Sequence, residues 1–458
     1  MLIFFSIYNL LLSLFGILLL PAFLLIILTR KKYRGRTLER LGLRNRKIKE
    51  IQKIQESLTE GVQDSTREGP KTPVIWMHAL SVGEVTSALP LVKALRTERE
   101  EALLILTVAT SSGKKIAENL LSPYVQCILS SPFDLRFAVQ RYIQAICPDL
   151  FIQVETDFWP NWLFLFQKNK IPAMLVNGRV SEKSFAAYQR FAFFFRPMFC
   201  LFDLLSMQTH EDCQKMTQLG VPADKVIALG NLKYDMDQPD EQEKRDSPVL
   251  LGKEECFFWV CGSTHPEEEK IIFSAVAQFL ARQEQQKSPE DLFLVVAPRN
   301  INRGQELVDL ACSFGLQAGL RSHDKEADGY KAYKAYKGRV LILDTLGELA
   351  RCYGQADLAF VGGSLVKQGG HNPIEPAIHG VPVLFGPHME DFSEIAQELL
   401  DCGGGKTVTA DSLLEILTSL CINKERRAVM GQAANALVTS HRGGVQRHVQ
   451  AILELLRH

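Results

Sequence analysis

Several short motifs that identify common classes of nucleotide-dependent enzyme are missing from this sequence. It contains no G-x-x-x-x-G-K-[ST] phosphate loop and no G-x-S-x-G nucleophile elbow. The G-x-G-x-x-G fingerprint is also missing, which argues against an ordinary NAD enzyme. No D-x-D run of the kind that carries a divalent metal with a nucleotide stands out at a predicted strand end. The sequence therefore favours chemistry without a metal and without a cofactor.

Disulfides, metal ligation and nucleic-acid binding also find little support. Ten cysteines are scattered without a C-x-x-C pair or a His/Cys cluster at metal spacing, a pattern typical of reduced thiols in a cytosol. Cys127, Cys147, Cys261 and Cys352 lie in or beside apolar runs, where a small buried side chain is a better interpretation than a nucleophile. The formal net charge is zero, so the composition predicts no nucleic-acid partner.

The sequence has enough hydrophobic residues to form a large core, and it has an apolar run at its N-terminus. Of its 458 residues, 46% are hydrophobic and 23% are charged, as in a globular chain of two or three domains. Residues 2–28 carry no charged side chain, and at roughly 1.5 Å per residue a helix of this length can cross the ~30 Å hydrocarbon layer. A basic flank follows directly, formed by Arg30, Lys31, Lys32, Arg34, Arg36, Arg40, Arg44, Arg46 and Lys47.

The order of these two segments predicts an uncleaved membrane anchor. A signal peptide has its basic residues before the apolar run and a small-residue cleavage site after it, whereas here the basic flank comes second. The positive-inside rule then places the flank and the remainder of the chain on the cytoplasmic side. Pro21 and the polar Ser6, Asn9 and Ser13 leave open whether the run spans the membrane or lies in its interface.

The remainder of the chain alternates between strand-like apolar runs and helix-sized segments, which is typical of doubly wound parallel α/β domains. Seven runs begin at Val74, Leu103, Val125, Leu150, Pro172, Leu204 and Val226. After a charged, Pro-containing boundary, five more begin at Phe257, Leu292, Arg339, Asp357 and Val381. From about Leu413 the sequence is predicted to be helical throughout.

We therefore divide the chain into five parts. They are a membrane anchor (1–29), a basic flank with a linker (30–72), a first Rossmann-like domain (73–235), an interdomain linker (236–249) and a second Rossmann-like domain (250–458). Two such domains predict a central cleft, with the loops at the strand ends facing it.

In the first domain, acidic or basic residues follow three of the predicted strands. Glu84 begins the helix after the first strand, where it can take a proton from an attacking hydroxyl or merely complement the helix dipole. Glu155 and Asp157 follow the fourth strand two residues apart, so they share a face of an extended chain. Lys233 follows the seventh strand, and the position has two interpretations: a lysine that binds an anion in the cleft, or an ordinary surface lysine.

In the second domain, four strand ends carry Gly, Ser or Thr, Arg or Glu. Gly262, Ser263 and Thr264 precede a helix, and Ser263 or Thr264 is its expected N-cap. Arg299 offers a guanidinium fork suited to phosphate. Gly347 and Glu348 occupy the next strand-to-helix turn. The fourth end is the run 360–377, whose glycine pairs and polar helix start predict a phosphate-bearing ligand; its polar side chains are Ser364, His371, Asn372 and Glu375.

Taken together, these segments resemble a known family. HALSVGE, VETDFWPN, NGRVSEKSFAAY, GNLK, CGSTHPEEE, APRN, DTLGEL and FVGGSLVKQGGHNPIEPA are similar, in this order, to the signature of bacterial 3-deoxy-D-manno-octulosonic acid (Kdo) transferases. The resemblance runs from an ERLG segment at Glu39 to at least Pro387. It implies an inverting, metal-independent GT-B glycosyltransferase of the inner membrane that moves Kdo from CMP-Kdo to a lipid A precursor.

The resemblance also implies roles for individual residues. Glu84 would be the general base on the acceptor hydroxyl, and Glu155 and Lys233 would steady the charged transition state. The CMP moiety would be held by Pro298, Arg299, Gly347, Glu348, Leu349, Asn372, Pro373, Ile374 and Glu375. The first domain would thus bind the acceptor, and the second would bind the nucleotide.

The sequence departs from the family pattern at three positions, and two other functions stay open. Asn300 stands where the family commonly has His, Asp157 where it commonly has Glu, and Gly178 where Ala is usual. The alternatives are another GT-B enzyme that uses a UDP-sugar on a lipid or cell-wall acceptor, and a membrane-tethered nucleotide-binding regulator without turnover. A regulator has no need of Glu84, Glu155 and Lys233 together, which argues against the second.

Overall fold

A computed structural model describes residues 8–10, 12, 37–43, 72–155, 158–235, 256–286, 291–323 and 339–457. Most of the predicted anchor, the basic flank, both linkers and Asp157 lie outside these residues. Within the described ranges, no helix is both long enough and apolar enough to cross a membrane. The chain divides into two compact units, one made of Met1–Asp235 with Arg442–His458 and the other of Met236–His441.

The first unit contains a seven-stranded parallel sheet with helices between successive strands. Its strands are β1 (Val74–Ala79), β2 (Leu103–Val108), β3 (Cys127–Ser130), β4 (Leu150–Val154), β5 (Ala173–Gly178), β6 (Leu204–Met207) and β7 (Val226–Ala228). Its helices up to this point are α1 (Val82–Glu98), α2 (Ser111–Leu120), α3 (Arg136–Ile146), α4 (Pro160–Lys168), α5 (Glu182–Arg190), α6 (Ala192–Phe199) and α7 (His210–Gln218). Short 3₁₀ turns cover Ala223–Lys225 and Leu232–Asp235. All seven predicted strands are confirmed.

Both faces of this sheet are covered, as the apolar runs require. Trp76 of β1 packs into one apolar core, whereas its neighbours Ile75 and Met77 pack into the other. The strand order is β3-β2-β1-β4-β5-β6-β7. The chain therefore proceeds from β1 in one direction and from β4 in the other. Loops diverge at such a switch point, and ligands of doubly wound folds bind there at the carboxyl ends of the strands.

The ERLG segment is attached to the same edge of this sheet. The Glu39 carboxylate accepts a hydrogen bond from the Ser130 backbone N–H (3.0 Å) and lies 3.2 Å from Lys114 Nζ. The Arg40 guanidinium donates to the Ser131 carbonyl (2.9 Å) and lies over the Phe133 ring. The segment that follows the apolar run is thus fixed at the carboxyl end of β3.

The last helix, Gly444–Leu455, belongs to the first unit, although the sequence pattern predicts it in the second domain, at 250–458. Its apolar stripe, Val445, Val449 and Ile452, joins the core that also contains Leu229 and Leu232. The Asp235 carboxylate accepts from the N–H groups of Gly443 (2.7 Å) and Val445 (2.6 Å). Burial of this stripe is a tertiary effect, so a helical pattern alone does not reveal which unit the helix joins.

The second unit also contains a seven-stranded parallel sheet. Its strands are β8 (Cys256–Thr264), β9 (Asp291–Pro298), β10 (Gln317–Leu320), β11 (Arg339–Ile342), β12 (Leu358–Val361), β13 (Val383–Phe385) and β14 (Gly405–Thr407). Its helices are α8 (Glu268–Gln286), α9 (Gly304–Ser313), α10 (Leu349–Tyr353), α11 (Ile374–Ala377), α12 (Ser393–Asp401), α13 (Leu413–Ile422) and α14 (Lys424–His441), and the helix of Gly444–Leu455 is α15. Short 3₁₀ turns cover Ile301–Arg303, Arg321–His323 and Glu390–Phe392. The helical C-terminus is confirmed, and β10 and β14 were not predicted.

The order of the second sheet is β10-β11-β9-β8-β12-β13-β14, which puts its switch point between β8 and β12. Gly262 of β8 is needed here because an added Cβ would lie 1.9 Å from the Tyr353 hydroxyl. The run 360–377 follows β12, so it starts at this switch point, as the sequence predicts.

Candidate active site

Glu84 lies in the first turn of α1, directly after β1, and its side chain is buried at 4% exposure. The helix N-cap is Ser81, whose side chain makes no capping hydrogen bond. The Glu84 carboxylate instead accepts a hydrogen bond from the Leu80 backbone N–H. This contact at the helix start is what a purely structural role for Glu84 would also produce. It also holds the carboxylate in place at the carboxyl edge of the sheet.

Glu155 lies at the end of β4, on the other side of the switch point, with a left-handed φ of 59°. Its Oε1 atom accepts hydrogen bonds from Ser87 Oγ (2.7 Å) and from Asn177 Nδ2 (3.1 Å). The Lys233 ammonium lies 3.9 Å from the same oxygen. Both members of this ion pair are largely buried, with side-chain exposures of 21% for Lys233 and 19% for Glu155.

The structure therefore brings the three predicted residues of the first domain into one cluster. Ser87 joins them, because its hydroxyl donates to Glu155 and its Oγ lies 3.1 Å from the Glu84 backbone carbonyl oxygen, one turn earlier in α1. A buried carboxylate and a carboxylate–ammonium pair thus follow neighbouring strands, which offers a proton acceptor and a positive charge at one sheet edge. Sequence reasoning missed Ser87 and Asn177 as members of this cluster.

In the second unit, the Gly-Gly-Ser turn after β12 is occupied by a side chain of the protein itself. The buried Glu268 carboxylate accepts hydrogen bonds from the N–H groups of Gly363 (2.8 Å), Ser364 (2.9 Å) and Leu365 (2.9 Å). It also accepts from the His265 N–H (2.9 Å). These N–H groups form an anion-binding concavity, and the anion is Glu268. The turn is thus locked to the start of α8, and any phosphate must be bound by other groups.

His265 and His371 form a close pair beside this turn. Their Nε2 atoms are 2.8 Å apart, and the rings are stacked with centroids 5.1 Å apart. Burial, with a smaller effect of Arg299, lowers the pKa of His371 to about 4. Burial also lowers the pKa of His265. A hydrogen bond between two Nε2 atoms requires one of them to accept, which agrees with a neutral pair at physiological pH.

A helix begins after this turn, as the sequence predicts. The Asn372 side chain accepts from the Ile374 N–H (3.0 Å), and Pro373 is the N-cap of α11. Ile374 is fully buried. Burial raises the pKa of the Glu375 carboxyl to about 7, although the charge of Arg299 acts in the opposite direction. Glu375 thus has a protonation equilibrium near neutral pH.

The other predicted nucleotide-binding residues follow β9 and β11. Pro298 ends β9, and the next residue, Arg299, is exposed. Gly347 has a φ of 86°, and apart from its chain neighbours no described residue has an atom within 4 Å of the point where a Cβ would lie. The Glu348 carboxylate pairs with the Arg321 guanidinium (3.0 Å) and accepts from the Thr345 hydroxyl. Leu349 starts α10 and packs against the core. All these positions lie at carboxyl ends of strands of one sheet, and their role in binding CMP stays a prediction.

Two parallel, doubly wound units of this kind define the GT-B fold class. The chain is similar to a MurG structure from Acinetobacter baumannii, with 14% sequence identity, a TM-score of 0.52 and coverage of 84% of this chain and 100% of that one. It is also similar to a UDP-GlcNAc 2-epimerase from Neisseria meningitidis, with 15% identity, a TM-score of 0.51 and coverage of 84% and 99%. At this level of identity the likeness concerns the fold alone.

The family is given by the sequence comparisons. A family model described as "3-Deoxy-D-manno-octulosonic-acid transferase (kdotransferase)" matches residues 36–236. A 3-deoxy-D-manno-octulosonic acid transferase of Haemophilus influenzae is 33% identical over 393 residues, which is 85% of this chain and 87% of that protein. The chain belongs to the Kdo transferase family, and the protein is a glycosyltransferase.

Proposed function

We propose that this chain transfers Kdo from CMP-Kdo to a lipid A precursor such as lipid IVA, in the synthesis of the lipopolysaccharide core, with inversion at the anomeric carbon. The observation that supports this most is the cluster of Glu84, Glu155 and Lys233 at the switch point of the first sheet. A member of a transferase family that lacked turnover would not need to assemble a carboxylate and an ion pair at this edge.

Glu84 is the proposed general base. Its carboxylate takes the proton of the acceptor hydroxyl as the hydroxyl oxygen forms a bond to the anomeric carbon of Kdo. The bond from that carbon to the CMP phosphate breaks with its electron pair on the phosphate oxygen, so CMP leaves and the configuration inverts. The contact with the Leu80 N–H supports this role because it fixes the orientation of the carboxylate.

Lys233 is the proposed electrostatic group, and Glu155 is its partner. Negative charge develops on the phosphate oxygen as the sugar departs, and a preorganised ammonium stabilises this charge without reorganisation. The carboxylate of Glu155, 3.9 Å from the ammonium, restricts where that positive charge lies. Held by two hydrogen bonds of its own, Glu155 acts as a fixed support.

In the second unit we assign CMP binding to the carboxyl edge of its sheet. Arg299 is exposed and presents a fork for a phosphate, which suits this role because Glu268 already occupies the N–H groups of the Gly-Gly-Ser turn. Among the described residues, Gly347 has open space beside its Cα, where a flat base can approach the backbone. Asn372 and Glu375 belong to the proposed set at the start of α11, and its other proposed members are Pro298, Glu348, Leu349, Pro373 and Ile374.

We also propose that the protein acts at the cytoplasmic face of the inner membrane, where a lipid acceptor resides. The support is in the sequence: residues 2–28 are apolar, and the basic flank that follows attracts anionic headgroups by about 1 kcal/mol per basic residue near the surface. Fractionation of cells that express the full chain and a chain lacking residues 2–28 tests this location.

The direct test of the proposed function is incubation of the full-length protein with CMP-Kdo and lipid IVA, followed by mass spectrometry of the lipid. We expect the lipid to gain one or more Kdo units, with release of one CMP for each unit. A parallel incubation with UDP-sugars is the control for donor class. Turnover of a UDP-sugar without turnover of CMP-Kdo would contradict the proposal.

A further inference from the structure

We infer that Asn177 is a positioning residue that keeps Glu155 and Lys233 together; this inference rests on the function proposed above. Asn177 is the fifth residue of β5 and is fully buried. It has no role in the proposed proton transfer or in the proposed nucleotide binding. Its side chain, however, bridges the Glu155 carboxylate and the backbone of Leu232, the residue before Lys233.

The amide of Asn177 makes one hydrogen bond to each side of the cluster. Its Nδ2 donates to Glu155 Oε1 (3.1 Å), at the end of β4. Its Oδ1 accepts from the Leu232 backbone N–H (3.0 Å), in the 3₁₀ turn that carries Lys233. The two partners demand opposite ends of the amide, since a carboxylate only accepts and an N–H only donates. One side chain therefore sets the distance between the carboxylate and the backbone next to the lysine.

The backbone of Asn177 is unusual in a way that agrees with this role. Its φ is 57°, a left-handed conformation that asparagine tolerates better than most residues. The register between β5 and β6 shifts between Leu175 and Gly178, so the strand is irregular at this residue. Non-glycine residues held in this region are concentrated at functional sites, where the surrounding structure maintains the strain.

Asn177 acts together with Ser87. Glu155 Oε1 accepts hydrogen bonds from Ser87 Oγ of α1 and from Asn177 Nδ2 of β5. The Lys233 ammonium lies 3.9 Å from the same atom. Loss of the Asn177 amide removes one of these hydrogen bonds and also leaves the Leu232 N–H without its side-chain acceptor. Both changes affect the group proposed to stabilise the departing phosphate, so turnover should fall more than the affinity for the donor.

Two substitutions distinguish the effect of the Asn177 side-chain amide from the effect of its left-handed backbone. Asn177→Asp keeps an oxygen for the Leu232 N–H but places a second carboxylate against Glu155. Asn177→Gly removes the side chain while a left-handed φ costs glycine nothing. We expect each to lower kcat by roughly tenfold to a hundredfold, as for loss of a hydrogen bond to a charged group. The KM for CMP-Kdo should stay within about twofold. Asn169→Ala, at the exposed asparagine that follows α4 as its C-cap, is the matched control.

A reciprocal exchange tests whether Asn177 works through Glu155. In the double variant Asn177→Asp/Glu155→Gln, the amide introduced at position 155 can donate to the carboxylate introduced at position 177. We expect a smaller loss of kcat than the product of the two single losses. Wild-type kcat in both single variants at position 177, or a double-variant loss equal to that product, would overturn the inference. No transfer from CMP-Kdo by the unsubstituted protein would instead contradict the proposed function.

Discussion

His448 should make the stability of the first unit depend on pH. It lies on α15, fully buried, and contacts β6 through a distance of 2.6 Å between its Nε2 and Ser206 Oγ. Its Nδ1 lies 2.7 Å from the Gly444 carbonyl, an acceptor, so Nδ1 carries the proton and Nε2 accepts from the serine. Burial lowers the pKa of His448 from 6.5 to about 4; the hydrogen bond to Gly444 and Asp235 act to raise it, and Arg447 acts to lower it.

The size of the effect follows from this shift in pKa. Above pH 6.5 the imidazole is neutral in the folded and the unfolded chain, and its contribution to stability is fully present. Between pH 6.5 and 4 only the unfolded chain takes up the proton, so acid favours unfolding. For these two pKa values the loss in the free energy of unfolding between pH 7.5 and pH 5.0 is about 2 kcal/mol.

Urea unfolding, followed by tryptophan fluorescence, measures this loss, because Trp76, Trp159 and Trp162 all lie in the first unit. His448→Gln should be less stable than the unsubstituted protein at pH 7.5 but should lose about 2 kcal/mol less between pH 7.5 and pH 5.0. His210→Gln, at an exposed histidine of the same unit, is the control. An equal loss in His448→Gln and the unsubstituted protein would show that His448 is not the source of this pH dependence.

Two further predictions concern the second unit. Glu268→Gln replaces one carboxylate oxygen with an amide NH₂, which would face N–H groups that now donate hydrogen bonds to the carboxylate. The free energy of unfolding, measured by urea titration, should therefore fall by about 3 kcal/mol. A loss as small as that of Glu267→Gln, at an exposed neighbour, would contradict this. Gly262→Ala should cost about 1–3 kcal/mol because its Cβ would lie 1.9 Å from the Tyr353 hydroxyl. The double variant Gly262→Ala/Tyr353→Phe should have a higher thermal melting temperature than Gly262→Ala alone. The absence of any recovery would show that the clash lies elsewhere.

The strands of both sheets could be predicted because most of them are continuous apolar runs buried on both faces. The two that were missed, β10 and β14, are short and contain Gly, Gln or Lys, so no hydrophobic pattern distinguishes them from loops. The assignment of α15 to the first unit depends on which apolar surface its stripe meets, and this is not encoded in the stripe. A pattern of alternation therefore predicts elements better than it predicts where the last one packs.

The candidate site shows the same limit. Glu84, Glu155 and Lys233 could be found because each follows a predicted strand, and parallel strands end at a common edge. Ser87 and Asn177 could not, since one lies inside a helix and the other inside a strand, where a polar residue has many ordinary explanations. The filling of the Gly-Gly-Ser turn by Glu268 joins residues almost a hundred positions apart, a pairing that only the folded sheet determines.

Glu84→Gln tests whether Glu84 is the base for sugar transfer. The amide keeps an oxygen that can accept from the Leu80 N–H but cannot take a proton from the acceptor. With CMP-Kdo and lipid IVA, we expect transfer measured by mass spectrometry to fall by roughly a hundredfold or more, while CMP binding measured by calorimetry stays within about twofold. Glu98→Gln, at the exposed end of the same helix, should keep full activity. Transfer by Glu84→Gln at a rate close to that of the unsubstituted protein would show that Glu84 is not the base.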